Sequence, residues 1–218
     1  MKELRTPYCF LLWGIMMTIM GCAGRPHYSL VPDYTAKPPR SIAILPAQNE
    51  TVTLKAPEEF RPLVHSKISA KGYETLGIAE IDKKLQGKGI RDAGQIHSLT
   101  PQELGKLLGV DAVLYTTVTE FSTAYLLAYA SMRVGARFEL KDAKTGEKLW
   151  ESDHRVTESK VGLDKKAMEE SAKFAAFQAY APYMKKVVAA CLATLPDGPL
   201  APPPKPKAGC LLPPSWRK

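Results

Sequence analysis

The stretch "LLAYASMRVGARFEL" (Leu126–Leu140) places Leu126, Ala128, Ala130, Met132, Val134, Ala136, Phe138 and Leu140 at alternate positions, with Ser131, Arg133, Arg137 and Glu139 between them. A period of two is the signature of a strand, because successive side chains point to opposite faces of a sheet. This segment therefore predicts a long strand with one dry side and one wet side. "DAKTG" (Asp142–Gly146) reads as a turn, and "EKLWESDHRV" (Glu147–Val156) as the returning partner of a hairpin. Upstream, "VDAVLYTTVTEF" (Val110–Phe121) is β-branched and aromatic enough for a central strand.

Working outward, the earlier chain alternates short apolar runs with helical patterns. "SIAILPA" (Ser41–Ala47) predicts a buried first strand. Pro57 opens a helix whose Phe60, Leu63, Val64 and Ile68 share a core-facing stripe, and Gly72 ends it. A second strand at Tyr73–Ile78, a short helix around Glu80–Leu85 and a Gly87–Gly94 loop follow. Thr100-Pro101-Gln102-Glu103 has the form of a capping box ahead of Leu104, Leu107 and Leu108, closed by Gly109. A last helical region, Leu163 to about Thr194, carries Met168, Ala172, Ala175, Ala179, Met184, Val187, Val188 and Cys191 near one face, and Pro182 should kink or split it. The fold class is α/β (α+β): one mixed-sheet domain over residues 40–195.

The two ends differ from that domain. Lys2 and Arg5 precede the apolar run "YCFLLWGIMMTIM" (Tyr8–Met20), the pattern of a secretory signal and too short for a comfortable span. Ile19-Met20-Gly21-Cys22 resembles the lipobox of bacterial lipoproteins. The resemblance implies cleavage between Gly21 and Cys22, lipidation of Cys22, and a membrane partner reached through that lipid. Ala23 follows, not the Asp that resembles an inner-membrane retention signal, so the inner face of the outer membrane is the expected address. Residues 1–21 are then a signal peptide. Residues 22–39, "CAGRPHYSLVPDYTAKPP", read as a Pro-rich tether and residues 196–218 as a Pro-rich tail of polyproline II character.

Removing 21 of 218 residues leaves 197, enough for one domain with a sizeable core. The +8 charge loses Lys2, Arg5 and Glu3 and becomes +7, with no basic run of five, so nucleic acid is not an expected partner. Of four cysteines, Cys9 leaves with the signal and Cys22 takes lipid. Cys191 and Cys210 remain, and two readings stay open: a disulfide stapling the tail to the last helix, or a buried free thiol at Cys191. His27, His65, His97 and His154 are isolated, with no metal-ligand spacing, nucleophile elbow or phosphate loop nearby. No catalytic residues, cofactor or metal are expected, and the chain reads as a non-enzyme.

"SIAILPAQN" (Ser41–Asn49), "LGKLLGVDAVLYTTVTEF" (Leu104–Phe121) and "ELKDAKTGEKLWES" (Glu139–Ser152) resemble the periplasmic α/β domain shared by the TolB amino-terminal domain and the CsgG family. Asp142, Thr145, Gly146, Leu149 and Trp150 fit the D-x-x-T-G-x-x-L-W hairpin of those domains. Together with the lipobox and "APEEFRPLVHSKISAKGYE" (Ala56–Glu74), the chain resembles a family of outer-membrane lipoproteins of unknown function, known from surface-antigen screens. The resemblance implies an accessory or assembly role beside a CsgG-like lipoprotein. Two alternatives are a homo-oligomeric CsgG-like secretion pore, for which Leu126–Leu140 is long enough, and a binding module for an envelope glycan or lipid built on Tyr115, Tyr125 and Tyr129.

Overall fold

The computed structural model describes residues 24–96, 98–126, 129–161, 169 and 180–202. The signal segment, Cys22, His97, most of the span 163–179 and Cys210 lie outside them. Seven strands, β1 (His27–Leu30), β2 (Ser41–Ile44), β3 (Gln48–Asn49), β4 (Glu74–Thr75), β5 (Ala112–Leu126), β6 (Tyr129–Asp142) and β7 (Lys148–Val161), form one mixed sheet. Its order is β1-β7-β6-β5-β2-β4, with β3 also on β5. The β2, β3 and β4 pairings are parallel and the β5–β6–β7–β1 pairings antiparallel.

The alternation of β6 is used as its sequence predicts. Met132, Val134, Ala136, Phe138 and Leu140 are all fully buried, under helices α1 (Ala56–Ala70) and α5 (Ala181–Leu192), with Phe60, Val64, Ile68, Val187, Val188 and Cys191 above them. Trp150 on β7 faces Phe138 at 6.5 Å between ring centroids, and its Nε1 donates to Thr194 Oγ1 at 3.0 Å. Among the described residues, the opposite face is covered only at the β2–β5 end. There α2 (Ile78–Gln86), α3 (Ala93–Ile96) and α4 (Pro101–Leu108) close over Ala43, Leu45, Val113 and Tyr115.

Helix α4 realises its capping box: Thr100 Oγ1 accepts from Glu103 N, and Glu103 accepts from Thr100 N at 2.8 Å. Gly109 ends it at φ 75°, a left-handed conformation that a side chain would strain. Thr100→Ala removes an acceptor for an orphan helix N–H. We expect a loss of about 1 kcal/mol in urea unfolding, with no change in oligomeric state.

Several bounds differ from the sequence reading. The stretch read as tether already contains β1, paired with β7, and Tyr34, which is buried and shares a 2.8 Å hydroxyl hydrogen bond with Tyr73. A strand was hidden there because "HYSL" is short and mostly exposed, so it carries no apolar pattern. The strand expected at Tyr73–Ile78 contributes only Glu74–Thr75, since Ile78 is taken into α2. Pro182 lies in the first turn of α5, where a missing N–H costs nothing. Pro62 sits inside α1, and the helix continues past it to Ala70. The tail begins docked: Gly198 N donates to Lys71 O, Leu200 N to Gly72 O, and Lys71 pairs with Asp197 at 2.7 Å.

Candidate interface on the open sheet face

Beyond the reach of α2–α4, the face of β5, β6, β7 and β1 carries a graded set of charges. Opposite residues of antiparallel strands share a face, so the register defines rows across it. One row is Thr117, Arg137, Asp153 and His27; the next is Tyr115, Glu139, Glu151 and Ser29. Above them run Glu120, Gly135 and Arg155, then Ser122, Arg133 and Thr157.

A bulge creates the centre of this face. Val118 pairs with Ala136 but Glu120 pairs with Gly135, which leaves Thr119 as the extra residue. The phase of β5 therefore changes: Ala112, Leu114 and Val118 point into the α1–α5 core, and after the bulge Phe121 does so. Glu120 is turned outward, between two arginines. Its carboxylate lies 3.5 Å from Arg133 Nη1 and 2.6 Å from Arg155 Nε, and its side chain is only 19% exposed. Gly135 leaves room for the bulge, since a Cβ there would stand 2.9 Å from Thr119 Oγ1.

Around this centre the charges pair locally. Arg137 meets Asp153 at 3.4 Å, Lys141 meets Glu139 at 3.0 Å, and Lys148 pairs with Glu151. Glu139 and Glu151 stand opposite one another, a repulsive arrangement that these two lysines offset. The hydrogen bond to Glu151, with the charges of Glu151 and Glu139, holds the Lys148 ammonium above its ordinary range. Exposed pairs of this kind contribute little to stability. They give the face an alternating pattern of charge suited to partner recognition.

The other sequence candidates are distributed differently. Tyr115 is buried, with the Lys141 ammonium 4.8 Å from its ring centroid, so it offers no open stacking surface. Burial, with the Glu139 charge beside it, pushes its hydroxyl up to about 12. Tyr129 is partly exposed at the far end of β6, and the side chain of Tyr125 is outside the described ones. Cys191 is a buried free thiol, pushed up to about 12 chiefly by burial; Cys210 is outside the described residues. His65 Nε2 lies 3.2 Å from Leu76 O, a structural contact, and His27 stands in the charged row. Among the described residues no cluster of three or more His, Cys, Asp or Glu side chains could hold a metal.

Sequence reasoning missed one further feature. A cavity of ≈ 220 Å³ opens beside Pro46, just past the carboxyl end of β2 and between α1 and α2, lined by Arg61, Asp82, Gln86 and Arg91. Arg61 is 8% exposed; its Nε donates to Ile44 O at 3.1 Å and its Nη1 to Asp82 at 2.6 Å. The guanidinium clamps both helices to the strand end. The phase of "FRPLV", with Arg61 next to the apolar position Phe60, was the signal for it.

The family description "Putative lipoprotein GNA1162-like" matches residues 31–176. The chain belongs to the GNA1162-like lipoprotein family. Within this family's reach, "Putative lipoprotein NMB1124/NMB1162" of Neisseria meningitidis serogroup B is 30% identical over 129 residues. That match takes in 58% of this chain and 60% of the relative, so the GNA1162-like chain spans about three fifths of the length of its curated relative. The crystal structure of lipoprotein GNA1162 from Neisseria meningitidis matches at 27% identity and a TM-score of 0.54, over 62% of this chain and 94% of that one. It shares the mixed α/β domain. A PelC dodecamer from Paraburkholderia phytofirmans matches at 14% identity and a TM-score of 0.45, over 76% of this chain and 95% of that one, too low to bear on assembly.

Proposed function

We propose that this GNA1162-like protein is a non-enzymatic, lipid-anchored accessory subunit of the outer membrane, acylated on Cys22 after cleavage behind Gly21. It faces the periplasm and binds other envelope lipoproteins, a CsgG-like one among them, through the open face of β5–β6–β7. The observation that carries this reading is the ladder around Glu120: a sheet face with no helix over it among the described residues, bearing alternating charges. Its family and the lipobox support the envelope address. No helix among the described residues is long and apolar enough to cross a membrane.

The pore alternative draws on the long hairpin. Against it, the apolar residues of β6 from Met132 to Leu140 are already spent on the α1–α5 core, and a spanning strand needs an apolar face turned to lipid.

The test is charge reversal on the face. Arg137→Glu combined with Arg155→Glu should reduce chemical cross-linking of the acylated protein to its lipoprotein partners at least tenfold, while the thermal midpoint moves by only a few degrees. Unchanged cross-linking by a folded double variant rejects this face as the interface.

A further inference from the structure

Arg61 does more than clamp two helices, because one of its nitrogens is left over. Its Nε and Nη1 donate to Ile44 O and Asp82, whereas Nη2 is buried and has no hydrogen-bond partner among the described residues. A guanidinium nitrogen can only donate, and a buried charged donor without an acceptor is costly to a fold. An acceptor entering from the cavity that Arg61 lines would satisfy it. The side chain is 8% exposed and tied at two points, so it is held in place before anything binds.

The strand connections put this cavity in a crevice. β2 and β4 are adjacent and parallel, yet the helices that follow them go to opposite faces of the sheet. After β2, α1 packs Phe60 and Val64 on the side of Ile42 and Ile44; after β4, α2 packs Ile81 and Leu85 on the side of Ala43 and Leu45. Where connections part in this way, a gap opens beyond the carboxyl ends of the strands, and open α/β sheets bind ligands there. Pro46 lies just past β2 and lines the cavity, with Arg61 from α1 and Asp82 and Gln86 from α2 across it. No residue of the charged rows on β5–β7 lines it, so this is a second site.

The lining selects the ligand. Its charged residues are Arg61, Arg91, Asp82 and Asp92, two of each sign, so a simple anion meets no net positive charge. The cavity instead offers a cation and an anion side by side, since Arg61 Nη1 and Asp82 Oδ1 are 2.6 Å apart. A carboxylate engaged on one oxygen can still accept further hydrogen bonds, and the Asp82 side chain is 37% exposed. A carboxylate taken by Arg61 Nη2 and an ammonium taken by Asp82 would be close enough for both to sit on one carbon, as in an α-amino acid. Leu85 and Ile90 supply an apolar wall for its side chain. The volume of ≈ 220 Å³ exceeds the roughly 150 Å³ that admits benzene and falls below the about 300–1,000 Å³ of drug-sized sites. One amino acid suits that volume better than a peptide.

We infer that the crevice between α1 and α2 binds a free α-amino acid with an apolar side chain, its carboxylate on Arg61 and Arg91 and its ammonium on Asp82. Gln86 and Arg91, both exposed, form the rim that moves aside to let the carboxylate reach Nη2. The site neither needs the charged sheet face nor contributes to it, so it stands or falls apart from the interface.

The test is isothermal titration calorimetry on the full protein in detergent micelles, with free alanine, valine, leucine and methionine, each as both enantiomers. At least one should bind with a Kd no weaker than about 1 mM. Its amide, which lacks the carboxylate, and its N-acetyl derivative, which lacks the ammonium, should each bind at least about tenfold more weakly. Arg91→Glu should weaken the parent amino acid by at least about tenfold as well, with the thermal midpoint unchanged because that side chain is exposed. No heat from any of these amino acids up to about 10 mM overturns the inference and leaves Arg61 a clamp. Equal binding of the amide, the N-acetyl derivative, acetate or inorganic phosphate overturns it too, and so does unchanged affinity in Arg91→Glu.

Discussion

Trp150→Ala should remove about 3–5 kcal/mol of stability, a large part of the roughly 5–15 kcal/mol typical of a folded domain. Trp150 is fully buried and is the largest such side chain, wedged between Phe138 and the α5 end of the core. Truncation leaves a cavity that neighbours on the antiparallel β1–β7–β6 part of the sheet cannot close by moving. It also leaves Thr194 Oγ1 without the indole donor, although that hydroxyl keeps its 2.7 Å bond to Cys191 O. Trp150→Phe retains most of the buried area and should cost about half as much. Urea unfolding at constant slope reads both; a cost below about 1 kcal/mol for the alanine variant would mean that α5 does not close this face.

Cys22→Ser should move the protein from the membrane fraction to the soluble one. Each buried methylene of an acyl chain contributes about 0.8 kcal/mol, and two anchoring signals already suffice for stable attachment. A hydroxyl in place of the thiol takes no diacylglyceryl group, and the variant is made behind a signal peptide that is cleaved without Cys22, so that the apolar run Tyr8–Met20 leaves no second anchor. Without the lipid, flotation of the variant on vesicles should be weak. Full retention of Cys22→Ser in washed membranes would contradict anchoring at that residue.

Much of the fold was legible because burial imposes a period. β6 alternates strictly, α1 repeats at three and four, and Thr100–Glu103 satisfies its own backbone locally, so each could be read without knowing its neighbours. The parts that were not legible depend on partners distant in sequence. "HYSL" becomes a strand only because β7 offers an edge, and β4 stops at Thr75 because α2, which buries Ile81 and Leu85, begins at Ile78. The open face was half visible: Arg133, Arg137 and Glu139 declared a wet side. The bulge at Thr119, which sets Glu120 between Arg133 and Arg155, has no local signature beyond Gly135 on the opposite strand. Arg61 was hidden for a related reason, since a charge beside an apolar stripe looks like solvent until Asp82 and the Ile44 carbonyl are brought to it.

The central claim, an anchored subunit that binds envelope lipoproteins through its open sheet face, is tested most directly by site-specific photo-cross-linking in intact cells. A photoreactive residue at Arg137, in the middle of the charged rows, is compared with one at Lys67, exposed on the far side of α1. The account predicts a discrete adduct with another lipoprotein from position 137 that position 67 does not give. Adducts absent from 137, or the same from both positions, would contradict it.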